Sequence, residues 1–246
     1  MGSIGAEIEA HLAQVAFQRR LREQDSALAV RVHALKDYQH RRFQHTYADL
    51  LADPRYAKAA TFFLDDLYGP HDFAERDAQF ARIVPAMVRL FPREIVATVA
   101  ALAFLHALTE ELDSAMAARL PSGGVSASAY AAAWRDVDRR SDRERQIALM
   151  TQIGQALDRY TRNPLLRHTL RMMRRPAQAA GLSALQQFLE RGFDTFKALG
   201  GADIFLATIA NRERLRVDAL FDPLAAIPPD FEAAELNDAD PGKPDA

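Results

Sequence analysis

The feature that most limits what this chain can fold into is a long stretch without punctuation. From Ala6 to Asp53 there is neither Pro nor Gly. Within it Leu28, Val32, Leu35, Phe43, Tyr47, Leu50 and Leu51 recur at near-helical spacing. Such a run predicts one long amphipathic helix, or two meeting near Asp25–Ser26. Alternating runs of β-branched residues are hard to find anywhere in the 246 residues, so no sheet is expected.

The rest of the chain is divided by helix signals. Asp53-Pro54 reads as a cap with Pro at the first helical position, opening a short helix to Tyr68 that Gly69 stops. Asp72 and Glu75 have capping-box spacing and open a helix to about Phe91, with Pro85 inside as an expected kink. Residues 93–120 form the most apolar helix, which should be central. Ser126 caps the next, and the capping box "SDRE" (Ser141–Glu144) opens another. Asn163-Pro164 starts a helix that Pro176 ends, and residues 177–199 and 202–221 complete the set. The fold class is all-α, a single compact bundle of about eight helices over residues 1–221. Residues 222–246 are Pro-rich, acidic and aperiodic, and read as a disordered tail.

Charge and composition exclude several chemistries. There is no Cys, which removes disulfides, thiolate metal sites and Cys nucleophiles. The start lacks the basic-then-apolar layout of a signal peptide. The longest nearly apolar run, residues 95–108, reads as too short to cross a bilayer. A cytoplasmic protein without membrane attachment is the expectation. Net charge is −2, so nothing pulls the whole chain toward nucleic acid. Seven acids against one Lys leave −6 on residues 222–246, so residues 1–221 carry +4.

Three constellations could carry function. His106, Glu110 and Asp113 share one face of the apolar helix, a pattern suited to a core ligand pocket beside the Pro85 kink. A core His with one hydrogen bond is the plainer reading. The second is the corner "FFLDDLYGPHDFAERD", residues 62–77. Asp65 and Asp66 end one helix, where the dipole disfavours anions, so they should seek cations such as Arg76 or Arg55. Tyr68 and Asp72 complete that corner. The third is "RYTRNPLLRHTLRMMRR", residues 159–175, where Arg167, Arg171, Arg174 and Arg175 make a basic face without an acid. A solvated face is the plain reading. Docking of a partner, or of the chain's own acidic tail, is the functional one, and nucleic acid is disfavoured for lack of a surrounding motif.

Walker, G-x-G-x-x-G and G-x-S-x-G motifs are absent. A di-iron bundle needs Glu-x-x-His pairs, and the nearest approach is Asp37-Tyr-Gln-His40. No metal site is expected. Haem needs one axial His, so His11, His33, His40 and His106 leave the cofactor unassigned.

Residues 46–92, with "FFLDDLYG" and "DFAERD", and "FLATIANRE" (Phe205–Glu213) resemble a group of uncharacterised bacterial proteins with an FFLxDLYG…DFxxRD segment and a later FLxTIxxRE. The resemblance implies a bacterial, intracellular, all-helical protein and carries no functional residues. Taken together, these readings favour a non-catalytic helical module acting by self-association, as a homodimer, or by binding a protein partner. The alternative is a ligand-binding, haem-binding or metal-binding bundle with a core pocket near His106.

Overall fold

The computed structural model describes residues 3–67 and 73–236, and among these every regular element is helical. The unpunctuated N-terminal stretch makes two long helices, α1 (Ile4–Gln24) and α2 (Ser26–Thr46). They meet at Asp25, whose extended backbone ends the first and whose carboxylate accepts the Leu28 N–H at 2.9 Å to cap the second. Short α3 (Ala48–Ala52) and α4 (Ala57–Thr61) follow. The latter runs into a π-helical turn, Phe62–Leu67. Next come α5 (Ala74–Leu90), α6 (Arg93–Ala117), α7 (Ala127–Val137) and α8 (Arg140–Thr161). Then α9 (Pro164–Met172), α10 (Arg174–Ala179), α11 (Ser183–Leu199), α12 (Asp203–Phe221) and α13 (Pro229–Leu236) complete the described chain.

The segments outnumber the eight expected because local breaks interrupt long helical patterns. Tyr47 separates α2 from α3, and Met173 separates α9 from α10. Pro176 does not end a helix. It sits in the first turn of α10, where no intrahelical N–H is needed. The "SDRE" box is not the start of α8 either. That helix begins at Arg140, so Ser141 is already inside it. Asp53 closes α3 and accepts the Arg55 N–H at 2.7 Å, with α4 beginning only at Ala57. The expected Asp72 cap lies outside the described residues, and α5 is preceded by Phe73 without a side-chain cap.

As expected, α6 is central, lying against α1, α2, α5, α7 and α8. It is 25 residues long, which corrects the reading of its apolar run as too short. By length and composition it could cross a membrane, with 44% of its most apolar window buried in the fold. It also carries buried Glu110 and Asp113. Gly154, inside α8, marks a tight crossing with α12. A Cβ there would stand 2.5 Å from a Leu206 methyl.

The expected disordered tail is corrected through Leu236. Pro229 opens α13, and Phe231 and Ala234, one turn apart, are fully buried against α2 and α7. Tyr38 donates its hydroxyl to the Phe231 carbonyl at 2.8 Å, and Arg41 donates to the Ala234 carbonyl at 2.9 Å. Asp230 accepts from Thr46 and from Arg216, the latter at 2.7 Å.

Three apolar clusters fill the interior. One centres on Leu35, Met116, Tyr130 and Phe231, a second on Phe63, Met150, Phe196 and Phe205, and a third on Ile8, Val84 and Val96.

Candidate functional site

Charged residues stand in step with apolar stripes on four helices. On α2, Arg42 continues the buried series Leu35, Tyr38. On α8, Arg143 precedes Ile147 and Met150 by one and two turns. On α12, Glu213 lies between Ile209 and Val217, and on α6 Asp113 lies one turn before Met116 and Ala117. An α-helix repeats every 3.6 residues, so a charge in phase with the stripe must point inward. All four converge on one cavity of about 120 Å³, where the first and second apolar clusters meet.

Its polar wall is uneven in how well it is paired. Arg42 donates to Glu213 at 2.6 Å, and the Tyr47 hydroxyl donates to the same carboxylate at 2.5 Å. Burial would lower the Arg42 pKa, but Glu213 outweighs it and the guanidinium is held more firmly charged. Burial raises the Tyr47 phenol, and Glu213 pushes it further the same way.

Arg143 has no such partner. Among the described residues no carboxylate oxygen lies within 4.0 Å of its guanidinium. It donates instead to Gln146 Oε1 at 3.0 Å and to the Met116 thioether at 2.8 Å, and it stacks 4.1 Å over the Trp134 ring. Burial lowers its pKa. Gln146 passes the chain on by donating to Thr109 at 2.8 Å. Asp113 accepts one long bond, 3.3 Å, from Gln39, and burial raises its carboxyl pKa. The Trp134 indole N–H and Arg42 Nε are buried with no acceptor.

The opposite wall is apolar. Phe63 and Leu64 enter it from the π turn, Met150 from α8, and Phe205 and Ile209 from α12. Both quoted stretches that carry the family resemblance therefore line this cavity, through Phe63 and Leu64 in one and Phe205, Ile209 and Glu213 in the other.

The His106 constellation is a stripe, as its spacing requires, but not a pocket. Its members separate into successive rungs along α6. His106 Nε2 lies 2.9 Å from Asp77, which also accepts from Arg19 at 2.6 Å. Glu110 accepts from Arg22 at 2.5 Å and from Lys36 at 2.6 Å. Asp113 alone reaches the cavity. Burial would raise the Glu110 carboxyl, but Lys36 and Arg22 outweigh it and hold it at about 2. Asp77 is likewise at about 2, with His106 and Arg19 overcoming burial. The cavity is not beside His106 and Pro85, where a pocket was expected. Neither residue lines the cavity, which lies beside Asp113.

At the "FFLDDLYG" corner, Asp66 pairs with Arg191 of α11, a residue distant in sequence. Arg55 lies over Tyr56 instead. Arg76 donates to the Asp66 backbone carbonyl at 2.9 Å, which satisfies a helix-end acceptor and leaves the carboxylate to Arg191. Asp65 lies 3.9 Å from His40. Tyr68 and Asp72 are outside the described residues.

The basic face of α9 and α10 is partly neutralised by α11. Arg167 pairs with Asp194 at 2.7 Å and Arg174 with Glu190 at 2.6 Å, while Arg171 and Arg175 are exposed. Tail docking on this face is corrected for the described tail, which packs on α2 and α7. Among the described residues no three His, Asp or Glu side chains gather as a metal site.

A family model for a domain of unknown function, DUF8198, matches residues 18–226. The chain belongs to DUF8198. The match begins inside α1 and stops before α13, and it contains every residue named above in the cavity wall. No curated protein and no solved structure matches the chain. DUF8198 membership is consistent with the uncharacterised family expected from the sequence and assigns no chemistry.

Proposed function

We propose that this domain binds a small molecule inside the cavity between α2, α6, α7, α8 and α12. The observation that carries the reading is Arg143, a buried guanidinium that faces a cavity without an ion-pair partner. Leaving a charge buried and unpaired costs several kcal/mol, so a site retaining one is arranged for something that completes it. The bipartite wall, with convergent polar groups facing an apolar one, is the usual form of a small-ligand site. The absence of cysteine fits a reducing compartment, and the resemblance to a bacterial group supports placing it in the bacterial cytoplasm.

The test is a thermal-shift and calorimetric screen of small fragments against the natural protein and against Ala60→Leu and Val217→Phe, which fill the cavity. Fragments should bind the natural protein and lose binding in whichever filled variant keeps a cooperative melt. A screen in which no fragment binds the natural protein overturns the reading.

A second reading, association with another copy or a protein partner, has its own observation. Leu165, Met172 and Met173 are 73%, 65% and 48% exposed on and just after α9, beside exposed Arg171 and Arg175. Exposed apolar side chains gathered on one amphipathic helix mark contact surfaces. Light scattering across a concentration series tests it. A natural protein that is dimeric, with Leu165→Glu/Met172→Glu monomeric, supports it, and a strict monomer throughout counts against self-association.

A further inference from the structure

The charges around the cavity specify more than the presence of a ligand. Arg42 is matched by Glu213, with the Tyr47 hydroxyl on the same carboxylate. Arg143 is left over. Its hydrogen-bond acceptors are an amide oxygen and a thioether, both neutral. Asp113 is the other carboxyl in the wall, held to one long bond from Gln39 and lying beyond ion-pair distance of Arg143, on which it acts only through its charge. The formal charges of the wall balance, but Arg143 is left without a carboxylate in direct contact. The wall also holds an unused donor, the Trp134 indole N–H, on the ring that Arg143 covers.

An amine would add a second cation beside Arg143. A phosphate dianion would bring twice the charge that one guanidinium can match. A carboxylate brings a single charge and two oxygens, which suits a guanidinium fork with an indole N–H beside it. The remaining wall, Phe63, Leu64, Met150, Phe205 and Ile209, accepts a compact hydrocarbon body.

Resting on the reading that the cavity binds a ligand, we infer that the ligand is a small monocarboxylate. Its carboxylate sits on Arg143 with the Trp134 N–H beside it, and its apolar body lies against Phe63, Met150, Phe205 and Ile209. The size follows from the volume. An engineered apolar cavity of about 150 Å³ takes benzene, so one of about 120 Å³ takes a molecule of roughly five or six non-hydrogen atoms. Butyrate and isobutyrate represent the class.

The experiment titrates the natural protein calorimetrically with butyrate and isobutyrate, and with the same bodies carrying a neutral head, butyramide and isobutyramide. The acids should bind at least tenfold more tightly. Arg143→Met keeps the volume and removes the charge, so it should erase that preference while still binding the neutral analogues. The second readout needs no variant. With ¹⁵N-arginine label, butyrate should shift a guanidinium resonance of the natural protein, and butyramide should not.

Neutral analogues that bind as tightly as the acids would overturn the carboxylate inference and leave the cavity reading intact. Failure of both acids and neutral analogues to bind would overturn both. Acid binding that survives Arg143→Met undiminished, or that moves no arginine resonance, would place the carboxylate elsewhere and overturn the assignment.

Discussion

Two regions of this molecule bury charge along the same helix, and they do it differently. Along one face of α6, His106 meets Asp77, which Arg19 also holds, and Glu110 meets Arg22 and Lys36, all at 2.5–2.9 Å, so each carboxylate has at least two partners. One turn beyond Glu110, Asp113 faces the cavity with a single long hydrogen bond, and Arg143 beside that cavity has no carboxylate within ion-pair distance. The first region is closed electrostatically and reads as structure. The second is open, with space beside it, and reads as a site. Burial alone does not mark function. Burial without compensation, next to a cavity, does.

The contrast breaks most sharply by mutation. Glu110→Leu leaves Arg22 and Lys36 without their carboxylate and should destabilise the protein by about 3–5 kcal/mol, the cost of breaking a buried pair. Denaturant unfolding measures it, and a loss below about 1 kcal/mol would show that the rungs are not tightly coupled.

The next effect is pH. Glu110 and Asp77 are both held at about 2, below their ordinary values of 4.5 and 3.8. A depressed carboxyl contributes stability above its unfolded pKa and loses it as pH falls through the folded one. Stability should therefore drop between about pH 4.5 and 2, on the order of 2–3 kcal/mol for each group. Asp113 has the opposite sign. Its raised pKa favours the protonated form, so its contribution is present below 3.8 and is lost as pH rises through the raised value. In Asp113→Asn, stability near neutral pH should be equal or higher than in the natural protein, with the difference shrinking in acid. Unfolding midpoints across a pH series test both signs together.

Arg143→Met comes third. Replacing an unpaired buried charge with an apolar side chain of similar volume is expected to be neutral or stabilising by about 1 kcal/mol or more. A strong destabilisation would mean that Arg143 is already compensated and would erase the difference between the two regions. Smallest is Arg191→Ala at the Asp66 corner. With Arg191 half exposed, the pair should contribute less than about 1 kcal/mol to a thermal melt.

Much of this was legible in the chain. The α1/α2 break at Asp25, the Ser126 and Asn163 caps and the central apolar helix all follow from periodicity and cap chemistry. The stripe His106–Glu110–Asp113 was readable too, as was its turn-by-turn spacing. The cavity was missed although a signal existed, since Arg42, Arg143 and Glu213 each continue an apolar stripe. Alone, each such residue reads as a charge at the edge of a helix face. Its burial becomes visible only when the stripe is followed through it. The tail was misread for a different reason. Two buried residues, Phe231 and Ala234, are too few to make a periodic pattern within an acidic, Pro-rich context.

The sequence by itself determined that the chain is helical, where most helices start and stop, and which face of each is apolar, because those properties are local and repeat every 3.6 residues. It could not determine which charges would share a partner. Arg22 and Glu110, Arg42 and Glu213, and Asp66 and Arg191 are far apart along the chain, and ion pairing depends on separations of a few ångströms. Only the packing of α1 and α2 on α6 closed the ladder of ion pairs. Only the meeting of five helices left Arg143 facing a cavity with no carboxylate in direct contact.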